Sequence, residues 1–501
     1  MIMTPELLKL FTSIQVGSDN LLVNSTAGSG KTSAILESME YISPDDTKLL
    51  CSFTNKITDE LKERVHKARI ENCTVTTLNS LGWQAVKERY KAKRPDKYKT
   101  GRHLGDLYYP KWKEVEEQKK GFFKHVKFFE RMIGVLKGYV IRPDRVKSVW
   151  EDLSLYHSID HPSSPDLEEM LVNIYESVWH DRKNFDFDDM KLVPIIDGLT
   201  MPKFDWIFFD EAQDGNLCDF ELLKAVAHPG SRYVIVGDDE QAIYLFRGAC
   251  SDSLDRAVEL FSCESLGLTV CFRCPDSHIR EAQKHSKKIT GPVPNPRGEG
   301  ILEWMEAEEF VPKDGAYCLS RTTAVAVQEC LRVIRTGRKA SVLGREILDT
   351  LTDLIEKLVE EHHLSMTAWD DLLKFQSALQ EYGATEVHRL TELGYDSSAQ
   401  QVQDRVETID AFIEDSKSIA NIVDRLSSIF TDKEDDGILF MTIHKAKGLT
   451  HDIVYFLDEG NCPHSSAKTP QSLEQEDHLR FIALTRSTSE LYIVRSRRRK
   501  R

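Results

Sequence analysis

Three apolar runs that end in polar clusters organise this chain. Leu21–Val23 runs into the Gly-rich turn "NSTAGSGKT", and a helix-forming segment starts at Thr32. Trp206–Phe209 is unbroken and closes on Asp210 and Glu211. A continuous run, rather than an alternating one, predicts a strand buried on both faces of a parallel sheet. The third run, in "RYVIVGDDEQAIYLFRGA", ends in a polar cluster around Gln241. Three strands thus deliver polar groups to one sheet edge, and open α/β sheets bind ligands at the carboxyl ends of their strands. Helical patterns lie between the runs. "KKGFFKHVKFFER" (Lys119 to Arg131) reads as an amphipathic helix with core phenylalanines, and "LTDLIEKLVEEHH" (Leu351 to His363) as an acidic one.

Strand, Gly-rich turn and helix N-terminus form the context of a phosphate cradle, G-x-x-x-x-G-K-[ST]. Ser25 stands where its first Gly belongs, at the strand's exit, where a small residue suffices. An ordinary Gly-Ser turn is the alternative, and the GSGKT core in this context argues against it. Gly28 and Gly30 allow close backbone approach, and loop amides with the helix dipole face phosphate oxygens. Lys31 is expected to reach the β- and γ-phosphates, and the Thr32 hydroxyl to ligate magnesium. Asp210 is a second magnesium ligand through water. Glu211 is a candidate base that orients and deprotonates the attacking water.

Length and charge narrow the setting. The chain has 501 residues, enough for three or four domain-sized units. No apolar run is long enough to span a bilayer, and the N-terminus lacks the basic start of a secretory signal, so a soluble, intracellular protein without a membrane partner is expected. Ten cysteines are scattered, as suits a reducing compartment. Net charge is −15, which excludes a protein coated in positive charge but not a local basic groove. Two basic stretches stand out, Lys87 to Arg102 with interleaved tyrosines and the C-terminal "RSRRRKR". Each reads as solvated surface or a frayed tail, or as a contact for nucleic acid, and the lysines of Lys119 to Arg131 read as DNA contacts. Cys271 and Cys274 form a C-x-x-C, but a zinc site needs a second pair, and Cys250 and Cys263 are poorly spaced for it.

GSGKT, "DEAQD" and "VGDDEQAIYLFRGA" together resemble the UvrD/Rep/PcrA type of superfamily 1 DNA helicases. The resemblance runs nearly end to end. "LLCSFTNKITDELKERV" is similar to motif Ia, and "TVTTLNSLG" to the following T-x-H-S segment, with Asn79 in place of His. "LTVCFRCP", "ILFMTIHKAKGLTHDIVYFL" and "EQEDHLRFIALTRSTSELYIV" resemble motifs IV, V and VI. The family's cradle commonly has Ala or Gly before A-G-S-G-K-T, so Ser25 is a small-residue variant.

The resemblance implies an α/β fold of two RecA-like P-loop domains with parallel sheets, ATP between them, and a mainly helical insertion in each. The first domain would take residues 1–85 and 185–267, with a DNA-binding insertion at 86–184. The second would take 268–345 and 437–501, with a reduced helical insertion at 346–436. Ser25, Thr26, Ala27, Gly28, Ser29, Gly30, Lys31, Thr32 and Ser33 would hold the nucleotide. Phe272 would stack on adenine, and Gly448 would lie at the cofactor site. Gln241 would touch the γ-phosphate and couple it to DNA, while Arg273 and Arg486 would reach it from the second domain. Thr77, Asn79, Tyr244, Phe246, Arg247, Thr442 and His444 would meet DNA, and Lys445 of motif V would line the DNA track or the domain interface.

Two departures weaken base recognition: Leu7 lies near the place of an adenine-reading Gln, and Thr450 replaces a Glu near the ribose. The activity implied is 3′-to-5′ translocation on single-stranded DNA and unwinding at duplex junctions, with ATP and Mg2+. A DNA-stimulated ATPase subunit that regulates a partner nuclease is the alternative. Replication or repair proteins are other possible partners. A binding protein with a dead ATPase conflicts with the complete set Lys31, Thr32, Asp210, Glu211, Gln241, Arg273 and Arg486.

Overall fold

Each of the three apolar runs is a strand in the computed structural model, which describes residues 2–53, 55–157, 159, 161–162, 164–243, 253–392, 395–433, 437–465, 467–468 and 470–496. The first sheet holds β1 (Asn20–Ser25), β2 (Lys48–Ser52), β3 (Cys73–Thr77), β4 (Phe204–Phe209), β5 (Ala227–Gly237) and β6 (Cys263–Leu268). Its order is β3-β2-β4-β5-β1-β6 and every pairing is parallel. β5 therefore lies between β1 and β4, so the ends of all three polar-tipped strands are neighbours.

The unbroken apolar runs follow from burial on both faces. Leu21, Val23, Phe208 and Val234 enter one core with Leu10, Ile14 and Ile35. Leu22, Ile207, Phe209 and Ile235 enter another with Leu78, Phe220 and Leu254. Side chains alternate sides along a strand, so covering both sides demands apolar residues at every position.

The helices Leu78–Tyr90, Lys99–Tyr108, Glu116–Gly138, Trp150–Tyr156, Leu167–His180 and Asp189–Ile196 lie between β3 and β4. A separate core forms among them around Leu104, Phe129, Met132, Ile133, Leu171 and Ile174. Phe122, Phe128 and Phe129 are buried as the helical pattern predicts, whereas Phe123 is exposed. The basic stretch Lys87 to Arg102 is not uniformly surface. Lys87, Lys91, Lys93, Arg94 and Lys97 are exposed. Lys99 is fully buried, with Nζ donating to Asp189 Oδ2 at 2.7 Å, so for this residue both solvated surface and a DNA contact are corrected to a buried ion pair. Lys137 Nζ completes the cluster, donating to Asp189 Oδ1 at 2.7 Å and to Asp186 Oδ2 at 2.6 Å.

The second sheet has the order β10-β9-β11-β8-β12-β13-β7, again all parallel. Its strands are β7 (Ile301–Met305), β8 (Tyr317–Ser320), β9 (Ala340–Leu343), β10 (Phe430–Thr431), β11 (Ile438–Thr442), β12 (His451–Phe456) and β13 (Ser487–Val494). The helices Arg345–Glu361, Trp369–Glu392, Asp396–Ile413 and Ile419–Ile429 pack into the same core as these strands, joining Leu351, Phe375 and Ile409 to Cys318, Val342 and Phe440. Asp404 accepts from the backbone amides of Thr323 at 3.0 Å and Ala324 at 2.8 Å, capping the helix Thr323–Arg335.

The chain divides into two compact units, Met1–Ser25 with Gly30–Leu268, and Thr26–Ser29 with Thr269–Arg501. Among the described residues, no helix is long and apolar enough to cross a membrane.

Candidate nucleotide site

Ser25 is buried at the exit of β1, where its Oγ donates to the carbonyl of Gly237 at 2.7 Å. A hydroxyl thus ties β1 to β5 where the general pattern has Gly. The turn continues with the backbone amide of Ser29 donating to the Thr26 carbonyl at 3.3 Å. Gly28 and Gly30 have φ of +71° and +81°, the left-handed region that favours glycine. Gly30 is the N-cap of the helix Lys31–Ser38, and among the described residues no side chain caps it. The first-turn amides of a helix point at the position an anion takes. Among the described residues, the hydroxyls of Thr26 and Ser29 are buried with no hydrogen-bond partner, and Ala27 is buried next to them in sequence. Orphaned donors in a left-handed glycine turn fit phosphate oxygens. Ser33 faces elsewhere, accepting from Arg64 at 2.8 Å.

Asp210 directly follows β4, buried, and burial followed by the adjacent Glu211 pushes its carboxyl up to about 7. Its Oδ1 accepts from the Glu211 amide at 2.9 Å. Thr32, in the first turn of the cradle helix, and Asp210 are hard oxygen donors of the kind magnesium takes. Glu211 has φ of +57°, a rare conformation for a non-glycine residue. Its Oε1 stands 3.6 Å from Lys31 Nζ, and its Oε2 accepts from Gln213 Nε2 at 2.5 Å. Gln213 Oε1 in turn accepts from the Asp238 amide at 3.0 Å, and Gln241 Nε2 donates to Asp238 Oδ2. A hydrogen-bonded chain thus runs Gln241–Asp238–Gln213–Glu211 and ends at Lys31. Gln213 and Asp238 were not singled out in the sequence, although both lie inside motifs that carry the resemblance.

In the second unit the Phe272 amide donates to the Gly28 carbonyl at 2.9 Å. A Cβ on Gly28 would lie 2.6 Å from Arg273 Cβ, so no side chain fits there. Arg273 donates to the Thr485 carbonyl at 3.1 Å. Arg486 is almost fully buried and donates to the Ile482 and Leu449 carbonyls at 2.9 and 3.2 Å and to Thr485 Oγ1 at 3.1 Å. Gly448 has φ of +85° and open space around it, and Lys445 pairs with Glu346. Thr442 occupies the N-cap position of the short helix Ile443–Ala446 without a capping bond from its side chain, and that helix carries His444.

Thr77 ends β3 and caps the helix Leu78–Tyr90, and Asn79 donates to the Phe187 carbonyl at 3.2 Å. Tyr244, Phe246 and Arg247 lie outside the described residues. Leu7 is a core residue of the first unit and Thr450 is exposed. Among the described residues, no group of three or more His, Cys, Asp and Glu side chains is arranged to hold a metal ion.

A profile of the UvrD/REP helicase N-terminal domain family matches residues 8–262, just over half of the chain, and one of the viral superfamily 1 RNA helicase core domain matches residues 370–495. The chain is 26% identical to the putative ATP-dependent DNA helicase YjcD of Bacillus subtilis, over 56% of this chain but only 39% of that protein. It is 20% identical to the ATP-dependent DNA helicase Rep of Buchnera aphidicola subsp. Acyrthosiphon pisum, covering 96% of this chain and 93% of that one. Identity to the ATP-dependent DNA helicase PcrA of Staphylococcus aureus is 22%, over 95% and 81% of the two chains.

Proposed function

The chain belongs to the UvrD/REP helicase family, and from that membership we propose that it is an ATP-dependent DNA helicase that moves 3′-to-5′ on single-stranded DNA. The observation that carries the proposal is the hydrogen-bonded chain from Gln241 through Asp238 and Gln213 to Glu211 and Lys31.

Lys31 sets an ammonium at the N-terminus of the cradle helix, where the β- and γ-phosphates are expected. Thr32 and Asp210 would hold magnesium, which when bound offsets the charge of the phosphate oxygens. Glu211, oriented by Gln213 and Lys31, takes a proton from water as the water oxygen attacks the γ-phosphorus and the bond to the β-phosphate breaks. Gln241 is linked to that base through Asp238 and Gln213, so a change at the γ-phosphate reaches the residues that follow it in sequence. Arg273 and Arg486 contribute as arginine fingers, worth roughly 10³–10⁵ in rate.

Polarity rests on "QAIYLFRGA", Gln241 to Ala249, which matches the 3′-to-5′ branch and lacks the Leu-Pro typical of the opposite branch. The second reading is a DNA-stimulated ATPase that regulates a partner nuclease and unwinds weakly alone, and it draws on the compact second insertion. Strand displacement by the isolated protein, on a duplex with either a 3′ or a 5′ tail, tests both. ATP-dependent unwinding from the 3′ tail is expected. Preference for the 5′ tail overturns the polarity, and hydrolysis without unwinding on either favours the second reading.

A further inference from the structure

Glu211 opens a loop in a strained conformation, and the far end of that loop is held by a lysine outside the proposed chemistry. With φ of +57°, Glu211 is the N-cap of the short 3-10 turn Ala212–Asp214. A non-glycine residue stays in that region only where its surroundings over-determine it. Inside the loop, the amides of Asp214 and Gly215 donate to the carbonyls of Glu211 and Ala212, both at 3.0 Å. Ser253 Oγ donates to the Gly215 carbonyl at 2.6 Å. Asn216 then caps the helix Leu217–Ala225 through a reciprocal pair of bonds. Its Oδ1 accepts from the Asp219 amide at 3.1 Å, and Asp219 Oδ2 accepts from the Asn216 amide at 3.0 Å.

The second oxygen of Asp219 takes the lysine. Lys191 Nζ donates to Asp219 Oδ1 at 2.6 Å, with the two side chains only 12% and 3% exposed. One carboxylate thus closes the loop with one oxygen and grips a cation with the other. Two such bonds to a charged group are strong and fix its plane. Lys191 is itself held, because its helix, Asp189–Ile196, opens on Asp189, which accepts from both Lys99 and Lys137. Lys137 belongs to the helix Glu116–Gly138, whose last residue abuts the same loop: a Cβ on Gly138 would lie 3.1 Å from Asn216 Nδ2. The loop is therefore backed by two helices that the buried lysines tie together.

We propose that Lys191 is a positioning residue for Glu211, clamping the loop through Asp219 so that the base keeps its strained conformation. Lys191 acts through Asp219 and not on the reacting atoms. Without the cation, a buried carboxylate is left to turn toward water or another donor, which loosens its bond to the Asn216 amide. The loop then gains room to relax, and Glu211 leaves the place set by Gln213 and Lys31. A displacement of about 1 Å at a reacting group costs on the order of 10²-fold in rate.

The effect on turnover rests on the role proposed above for Glu211, whereas the clamp on its loop does not. The test measures nucleotide Kd, kcat and amide hydrogen exchange on the full chain. Lys191→Met is expected to lower kcat by about 10²-fold at unchanged Kd, and Lys191→Arg, which keeps a cation, should restore most of it. Lys191→Met combined with Asp219→Asn removes both charges but keeps an acceptor for the Asn216 amide, so it should recover Tm without recovering kcat. In a Glu211→Gln background Lys191→Met should cost nothing further, because the group it positions is already gone. Exchange in the peptide spanning Glu211 to Asp219 should quicken in Lys191→Met while the strand Asn20–Ser25 keeps its protection. A wild-type kcat in folded Lys191→Met, a full additional loss in the Glu211→Gln background, or unchanged exchange in the loop overturns the proposal. If the wild-type chain hydrolyses no nucleotide, that failure belongs to the proposed function, and the exchange still decides the clamp.

Discussion

Replacing Lys137 with Met keeps the side chain's bulk and removes its charge from a place where water cannot substitute. Lys137 and Lys99 are fully or almost fully buried, and both bond Asp189, while Asp186 accepts from Lys137 through Oδ2 and from the Asp188 and Asp189 amides through Oδ1. Against burial, Lys137 and then Lys99 hold the Asp189 carboxyl below its ordinary value. In Lys137→Met, Asp189 and Asp186 would face Lys99 only. Breaking a buried pair from one side costs about 3–5 kcal/mol, against a total stability of about 5–15 kcal/mol. For a unit of this size that corresponds to roughly 6–20 °C in Tm. Thermal unfolding followed by tryptophan fluorescence suits the measurement, since Trp83, Trp112, Trp150, Trp179 and Trp206 all lie in the first unit. Adding Asp186→Asn should recover part of the loss, because it removes one carboxylate left without its cation. A loss below about 1 kcal/mol, the value of an exposed ion pair, would refute the reasoning and mean that the cluster is hydrated.

Lys31→Ala should abolish hydrolysis, and Glu211→Gln should keep nucleotide binding while slowing turnover by about 10²–10⁴-fold; a wild-type rate for Glu211→Gln would displace it as the base. Arg273→Ala and Arg486→Ala should each cut kcat with little change in nucleotide Kd, and lost affinity at unchanged kcat would contradict their role. Arg486→Ala should also lower Tm, because it removes the Arg486 bond to the Leu449 carbonyl, at about 1–3 kcal/mol for a buried group that loses its partner. GTP and CTP should be hydrolysed at rates comparable to ATP, since Leu7 is a core residue and Thr450 offers no carboxylate; strict ATP selectivity would count against this. Asp188 is pushed up to about 6 by burial and then by Asp186. It binds its proton more tightly folded than unfolded, so its contribution to stability is fully present below about pH 4 and is lost as pH rises through about 6. The Tm difference between wild type and Asp188→Asn should shift in that window, and a flat difference would remove Asp188 from the account.

The strands that carry Lys31, Asp210 and Gln241 were legible because two-sided burial writes itself as unbroken apolar runs. Ser25 was legible as a tolerated small residue, but its hydroxyl bond to Gly237 was not, since the partner is 212 positions away. The same limit hid Lys99 and Lys137 among the basic residues. Their carboxylates lie 90 and 52 positions downstream at Asp189, and a lysine's sequence neighbours do not tell a solvated cation from a buried one. Gln213 and Asp238 were missed for a different reason: each is one polar residue among several at a strand end, and only the fold selects which of them bond. The pattern of the acidic segment at Leu351 predicts a helix, and the structure puts Leu351, Leu354, Ile355 and Leu358 on its buried face. What that face packs against was not readable.

That packing sets what can be cut from this chain or grafted onto it. The helix Leu78–Tyr90 packs with the first sheet, but the helices from Lys99 to His180 carry a core of their own and make a transferable cassette. The four helices between β9 and β11 do not. They form one wall of the core behind the second sheet, and Asp404 among them is the cap of a helix that follows β8. Excising them would strip the sheet of a face and leave two backbone amides without an acceptor. A shortened variant of this chain must therefore thin the helices while keeping the wall intact, and a swap must carry part of the sheet along.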